Sequence, residues 1–112
     1  MPRQDVMSIM MQLVDEYVVM SYNTNPANAM DRILAQAKYA SKSHGPSMPR
    51  VLGSVETAKR VGTNVSYADT PGKQSKGIVL ADVGRIEAAL RQYPAFRGMA
   101  IHHWAAWNEL PP

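Results

Sequence analysis

The 112-residue sequence contains no cysteine and few aromatic residues, five Tyr, two Trp and one Phe. Without cysteine there is no disulfide scaffold, no thiol nucleophile and no thiolate-ligated zinc site. Charge is also sparse: charged residues make up 19% of the chain, and 12 Lys+Arg against 9 Asp+Glu leave a net charge of +3. The basic residues are spread along the chain from Arg3 to Arg97, with Lys59-Arg60 the one adjacent pair. A nucleic-acid surface gathers them into a patch, so no nucleic-acid partner is expected. Apolar runs are short and interrupted, so no membrane span is expected either. What is present is an ordinary hydrophobic fraction of 46%, enough for one domain over residues 1–112 with a core of its own. Met1-Pro2-Arg3-Gln4-Asp5 lacks the features of a signal peptide. As written, the chain reads as cytoplasmic, or as a piece cut from a secreted protein.

Hydrophobic periodicity orders the elements. Val6, Ile9, Met10 and Leu13 follow i, i+3, i+4, i+7 and predict an amphipathic helix. Residues 17–22 (YVVMSY) form a short apolar run rich in β-formers, a strand. Asn25 and Pro26 then supply a helix cap and first-turn proline. Met30, Ile33, Leu34, Ala37 and Ser41 mark one face of a helix reaching about Ser43, which Gly45-Pro46 would stop. Residues 50–56 (RVLGSVE) predict a second strand. A long polar loop over 57–77 follows, and loops of that length are usually functional or mobile. Val79, Val83, Ile86, Leu90 and Tyr93 predict a third helix, residues 96–103 a third strand, and residues 104–112 a turn or single helical turn. Strands alternating with helices define an α/β fold with a three-stranded parallel sheet. Both edges of so small a sheet lack partners.

The strand ends carry a resemblance. Val18-Val19-Met20-Ser21-Tyr22-Asn23 resembles a strand end of chitinase-like glycoside hydrolase barrels, and Val51-Leu52-Gly53-Ser54-Val55-Glu56-Thr57 is similar to another. Phe96-Arg97-Gly98-Met99-Ala100-Ile101-His102-His103-Trp104 resembles the final strand of related sugar-hydrolase-like TIM barrels. In order and spacing, the three resemble strands six, seven and eight. The resemblance implies the C-terminal part of a (β/α)8 barrel, which in full needs about 250 residues. The acidic motif that places the family's proton-donating Glu on strand four has no counterpart here. The resemblance therefore implies a glycoside-hydrolase-class fragment or remnant that keeps part of a carbohydrate-binding rim and is inactive alone. A non-catalytic assembly protein, with open sheet edges and an aromatic face forming an oligomer interface, is the alternative. A dimer that rebuilds a cleft from two copies of Glu56 is a third. In each case the partial barrel needs completing, and a homo-oligomer is the expected route.

In such barrels chemistry sits at the C-terminal strand ends. Alternation puts Leu52, Ser54 and Glu56 on one face, against Val51 and Val55. It likewise groups Gly98, Ala100, His102 and Trp104, against Met99, Ile101 and His103. The resemblance turns Met20 and Tyr22 inward. The expected rim is Tyr22 with Asn23, Glu56, His102 and Trp104, with Trp107 close by. Glu56 is the candidate catalytic residue, because a carboxylate ending a buried strand is desolvated, which suits acid work. The plainer alternative pairs it with Lys59 or Arg60. His102 is expected to bond a substrate hydroxyl or Glu56, or to be structural. His103 should pack against a helix or the tail, and His44 should sit against a helix dipole. Trp104 and Trp107 stack on a sugar ring in one reading and fill a core or an interface in the other. Adjacent histidines in a strand face opposite sides, so no metal site is expected. No phosphate-binding loop or nucleophile elbow occurs, so no cofactor is expected.

Overall fold

The computed structural model describes residues 6–11, 13–43 and 49–112. The elements run α1 (Val6–Met11), β1 (Glu16–Val19), α2 (Pro26–Ser43), β2 (Arg50–Glu56), α3 (Lys76–Leu90), β3 (Phe96–His102) and α4 (Trp104–Glu109). The strands form one parallel sheet in the order β1-β2-β3. The α/β alternation expected from the sequence is therefore present. Gly45-Pro46 and His44 lie outside the described residues.

Local chemistry explains most boundaries. Asn25 Oδ1 accepts from Ala27 N–H at 3.0 Å, and Pro26 opens α2 where a missing N–H costs nothing. Ser75 caps α3 by accepting from Ile78 N–H at 3.2 Å. Near the end of α2, the Ser41 hydroxyl accepts from Ala95 N–H and fixes the turn before β3. β1 is shorter than the predicted run. Past Val19, side chains replace the backbone ladder: Ser21 Oγ donates to Ser54 O at 2.9 Å and accepts from Ser54 N–H at 3.1 Å. Ser54 Oγ returns the link by donating to Val19 O.

The two sheet faces differ. Tyr17, Val19, Val51, Val55, Met99 and Ile101 face the helices and pack with Met11, Ile33, Ile86 and Leu90 in one cluster, and with Tyr67, Val79, Val83 and Leu110 in another. The opposite face carries none of these core residues. Val18 is exposed there, Leu52 and Ala100 are partly exposed, and Met20, just past β1, is 72% exposed. Parallel sheets are normally covered on both faces; among the described residues the helices cover one face of this sheet, and on the other only Ser54 and Glu56 are buried. The stripe predicted for α1 also departs from expectation: Val6, Ile9, Met10 and Leu13 are exposed, and Met11 reaches the core.

The long loop is folded rather than open. Asp69 closes it, its carboxylate accepting from the N–H groups of Arg60 (3.0 Å), Val61 (2.8 Å) and Gly62 (2.8 Å). A short 3₁₀ turn, Tyr67–Asp69, brings it there, and Arg60 adopts a left-handed φ of 65° that lets consecutive N–H groups converge. These bonds, led by those from Gly62 and Arg60, hold the Asp69 carboxyl below its ordinary value of 3.8. A carboxylate lowered by folding stabilises the fold above its unfolded value and loses that contribution as pH falls through the folded one. Acid titration from neutrality is expected to leave the amides of residues 60–62 protected down to about pH 4 and to release them below it. Hydrogen exchange checks this, and Asp69→Asn should release the same amides at neutral pH. Protection that persists in the variant would show that the carboxylate does not hold the loop.

Candidate functional site

The C-terminal end of the sheet joins the ends of β2 and β3. Thr57, fully buried, donates from both its N–H and its hydroxyl to His102 O, each at 2.7 Å. This tie sets the two preceding side chains opposite each other, in the register Glu56↔His102. Glu56 is 5% exposed, yet its carboxylate is well supplied with donors. Oε1 accepts from Thr57 N–H and Ala58 N–H, each at 3.0 Å. His102 Nδ1 lies 3.1 Å from Oε1 and 3.0 Å from Oε2. Such bonds offset the cost of burying a carboxylate. Neither Lys59 nor Arg60 is its partner; His102 is.

Other expected rim residues distribute unevenly. The Tyr22 ring lies 6.2 Å from the His102 ring, tilted by 37°, so Tyr22, Glu56 and His102 come together. Tyr22 is positioned from behind, its carbonyl accepting from Arg32 Nη1. Asn23 instead serves the fold: its Oδ1 accepts from Asn25 N–H at 2.8 Å and shapes the entry to α2. Strand alternation placed Trp104 beside His102, but the strand ends at His102 and Trp104 opens α4. There Trp104, 76% exposed, lines a shallow pocket with Ile101 and Trp107. Ile101 belongs to the helix-covered side, as does Trp107, which packs on the second core cluster under Lys76, its Nζ 5.8 Å from the ring centroid. His103 begins α4, its Nδ1 accepting from Ala106 N–H at 3.5 Å, with its ring edge-on to His102 at 5.0 Å. The peptide between the two histidines is cis.

Beyond the rim, a buried polar cluster was not foreseen from the sequence. Asp82 Oδ2 accepts from the Tyr67 hydroxyl at 3.0 Å and from Lys73 Nζ at 2.8 Å. Burial, then the Asp82 charge and hydrogen bond, push the Tyr67 phenol well above its ordinary range, so it remains the donor. The available signal was position: residues 79, 82, 83, 86 and 90 share one helical face, and Asp82 is the polar member of an apolar stripe.

Among the described residues, no group of three or more His, Asp or Glu is placed to hold a metal ion. No helix there is long and apolar enough to cross a membrane. Comparison with protein-family models, with curated proteins and with solved structures finds no match. The class that the fold defines is a small α/β protein whose three-stranded parallel sheet alternates with helices.

Proposed function

We propose that the chain is the C-terminal part of a glycoside-hydrolase-like (β/α)8 barrel, contributing a carbohydrate-binding rim of Tyr22, Glu56 and His102 without turnover of its own. The observation that carries this reading is the sheet face that no described helix covers, ending in a buried carboxylate paired with a half-exposed imidazole. In a barrel the helices lie outside and the other face looks inward. Leu52, Ser54, Gly98 and Ala100 on that face are the modest side chains a crowded interior accepts. Further strands, from more chain or from another copy, would cover Val18 and Met20. Glycoside hydrolysis normally uses two carboxylates, and among the described residues only Glu56 stands at this rim, which fits binding without turnover.

Oligosaccharide titration tests the reading. Adding cellotetraose or chitotetraose to isotope-labelled protein is expected to shift resonances of Tyr22 and His102, with no release of reducing ends. No shift at either residue with any oligosaccharide would reject the rim. The second reading, an assembly protein without a ligand, rests on the exposed Val18 and Met20. It predicts an oligomer by light scattering that Met20→Lys dissociates, and no response to sugar.

A further inference from the structure

The hydrogen bonding at the rim separates the roles of its two ionisable groups. Glu56 Oε1 already faces the N–H groups of Thr57 and Ala58, and both its oxygens face His102 Nδ1. A carboxylate in such a ring of donors accepts, so Nδ1 carries a proton. In a neutral imidazole that leaves Nε2 as the lone-pair nitrogen. The Glu56 side chain is 6% exposed and that of His102 is 54% exposed. Among the described residues, none is hydrogen-bonded to His102 Nε2. The carboxylate is thus enclosed and fully engaged, while the acceptor nitrogen is left for solvent or a ligand.

We propose that His102, not Glu56, is the group that meets the ligand: Nε2 accepts a hydrogen bond from a hydroxyl of a polyhydroxylated ligand. Glu56 is a positioning residue that sets the ring's tautomer and orientation. Thr57 supports both by tying β2 to β3 through His102 O. The inference rests on the carbohydrate reading for the identity of the hydroxyl, and on hydrogen bonding alone for the tautomer. His103 provides an internal contrast. Its Nδ1 accepts from Ala106 N–H, so its proton belongs on Nε2. Two consecutive histidines are therefore assigned opposite tautomers, one presenting an acceptor and one capping a helix.

Nitrogen-15 histidine labelling of the full chain, with long-range proton–nitrogen correlation at a pH where the rings are neutral, reads both tautomers directly. The expected result is Nδ1–H for His102 and Nε2–H for His103. A predominantly Nε2–H ring at His102 would overturn the proposal. In Glu56→Gln the side-chain amide can donate as well as accept, and His102 should shift toward the Nε2–H form. The variant's affinity for the tetrasaccharide that binds should fall roughly 3–10-fold, the worth of one hydrogen bond. The wild-type tautomers need no variant, so a Glu56→Gln protein that failed to fold would leave that arm intact. Sugar shifts at Tyr22 with His102 Nε2 unmoved would reject the role of His102 and keep the carbohydrate reading. The assigned tautomers without any response to sugar would reject both the carbohydrate reading and a hydroxyl partner for Nε2, leaving Glu56 only as the group that orients the ring.

Discussion

Asp82→Ala is expected to lower stability by about 2–4 kcal/mol, although residue 82 touches neither the rim nor the sheet's open face. The Asp82 side chain is 4% exposed, and Oδ2 serves two donors from the long loop, Tyr67 Oη and Lys73 Nζ. Removing it strands a phenol inside an apolar cluster with Val55, Val79, Val83 and Leu110. An unsatisfied buried hydroxyl costs about 1–3 kcal/mol by itself. It also frees a lysine whose side chain is 29% exposed. That exposure keeps the ion-pair share below the value for a fully buried pair, because Nζ can recover water. Arg85, 3.8 Å from Oδ1 and largely exposed, contributes little. Asp82→Asn retains an acceptor and should cost about half as much, on the order of 1–2 kcal/mol. Urea denaturation measures both. Hydrogen exchange should show the loss in the loop first, since Tyr67 and Lys73 are its attachments to α3. A loss below about 1 kcal/mol in Asp82→Ala would mean that both donors find water, and that Asp69, not Asp82, fastens the loop.

Neither Asp69 nor Asp82 stands out in the sequence, and reading it succeeds instead where local signals frame an element. Periodicity located β2 at its observed bounds because the strand is framed by distinct signals, a proline-containing approach and the polar run after Glu56. It located α2 because the cap at Asn25 coincides with the start of an apolar stripe, and α3 from its stripe alone; the Ser75 cap opens that helix at Lys76, inside the stretch read as loop over 57–77. It misjudged the end of β1, because Ser21 and Ser54 continue the strand's links through hydroxyls, which no propensity scale counts. It misplaced Trp104 because alternation carries no information once a strand turns into a helix. The partnership of Glu56 with His102 was half legible. Register alone sets them side by side, but the donors from Thr57 and Ala58 come from a backbone turn that sequence does not display. The α1 stripe was read correctly as apolar, and only the tertiary arrangement leaves it uncovered. The exposed α1 stripe and the sheet face that no described helix covers are surfaces of the kind that layered α/β proteins usually bury.

Gly53→Ala is expected to destabilise the protein by about 1–3 kcal/mol and to disturb the rim three residues away. Gly53 points to the helix-covered side of β2, where Ile33 of α2 packs directly on the sheet. A Cβ at residue 53 would overlap the end of Ile33, lie 2.9 Å from Ile33 Cγ1 and stand 2.6 Å from Met99 Sδ. Ile33 is fully buried in the first core cluster, so its side chain has little room to retreat. The methionine is more adaptable and absorbs part of the clash. The remaining strain pushes α2 outward or β2 toward its open face, and only the second direction is unopposed by packing. β2 also carries Glu56 and Thr57, so displacement should loosen the ties to His102 and broaden its ring resonances. Ile33→Val removes the nearest atom and costs roughly 0.5–1.5 kcal/mol alone. In the Gly53→Ala background it should recover stability instead, giving a coupling of about 0.5 kcal/mol or more in a double-mutant cycle. Additive losses would place the strain elsewhere on β2. Coupling in stability with an unchanged His102 spectrum would show that the sheet holds its rim independently of the helix layer beneath it.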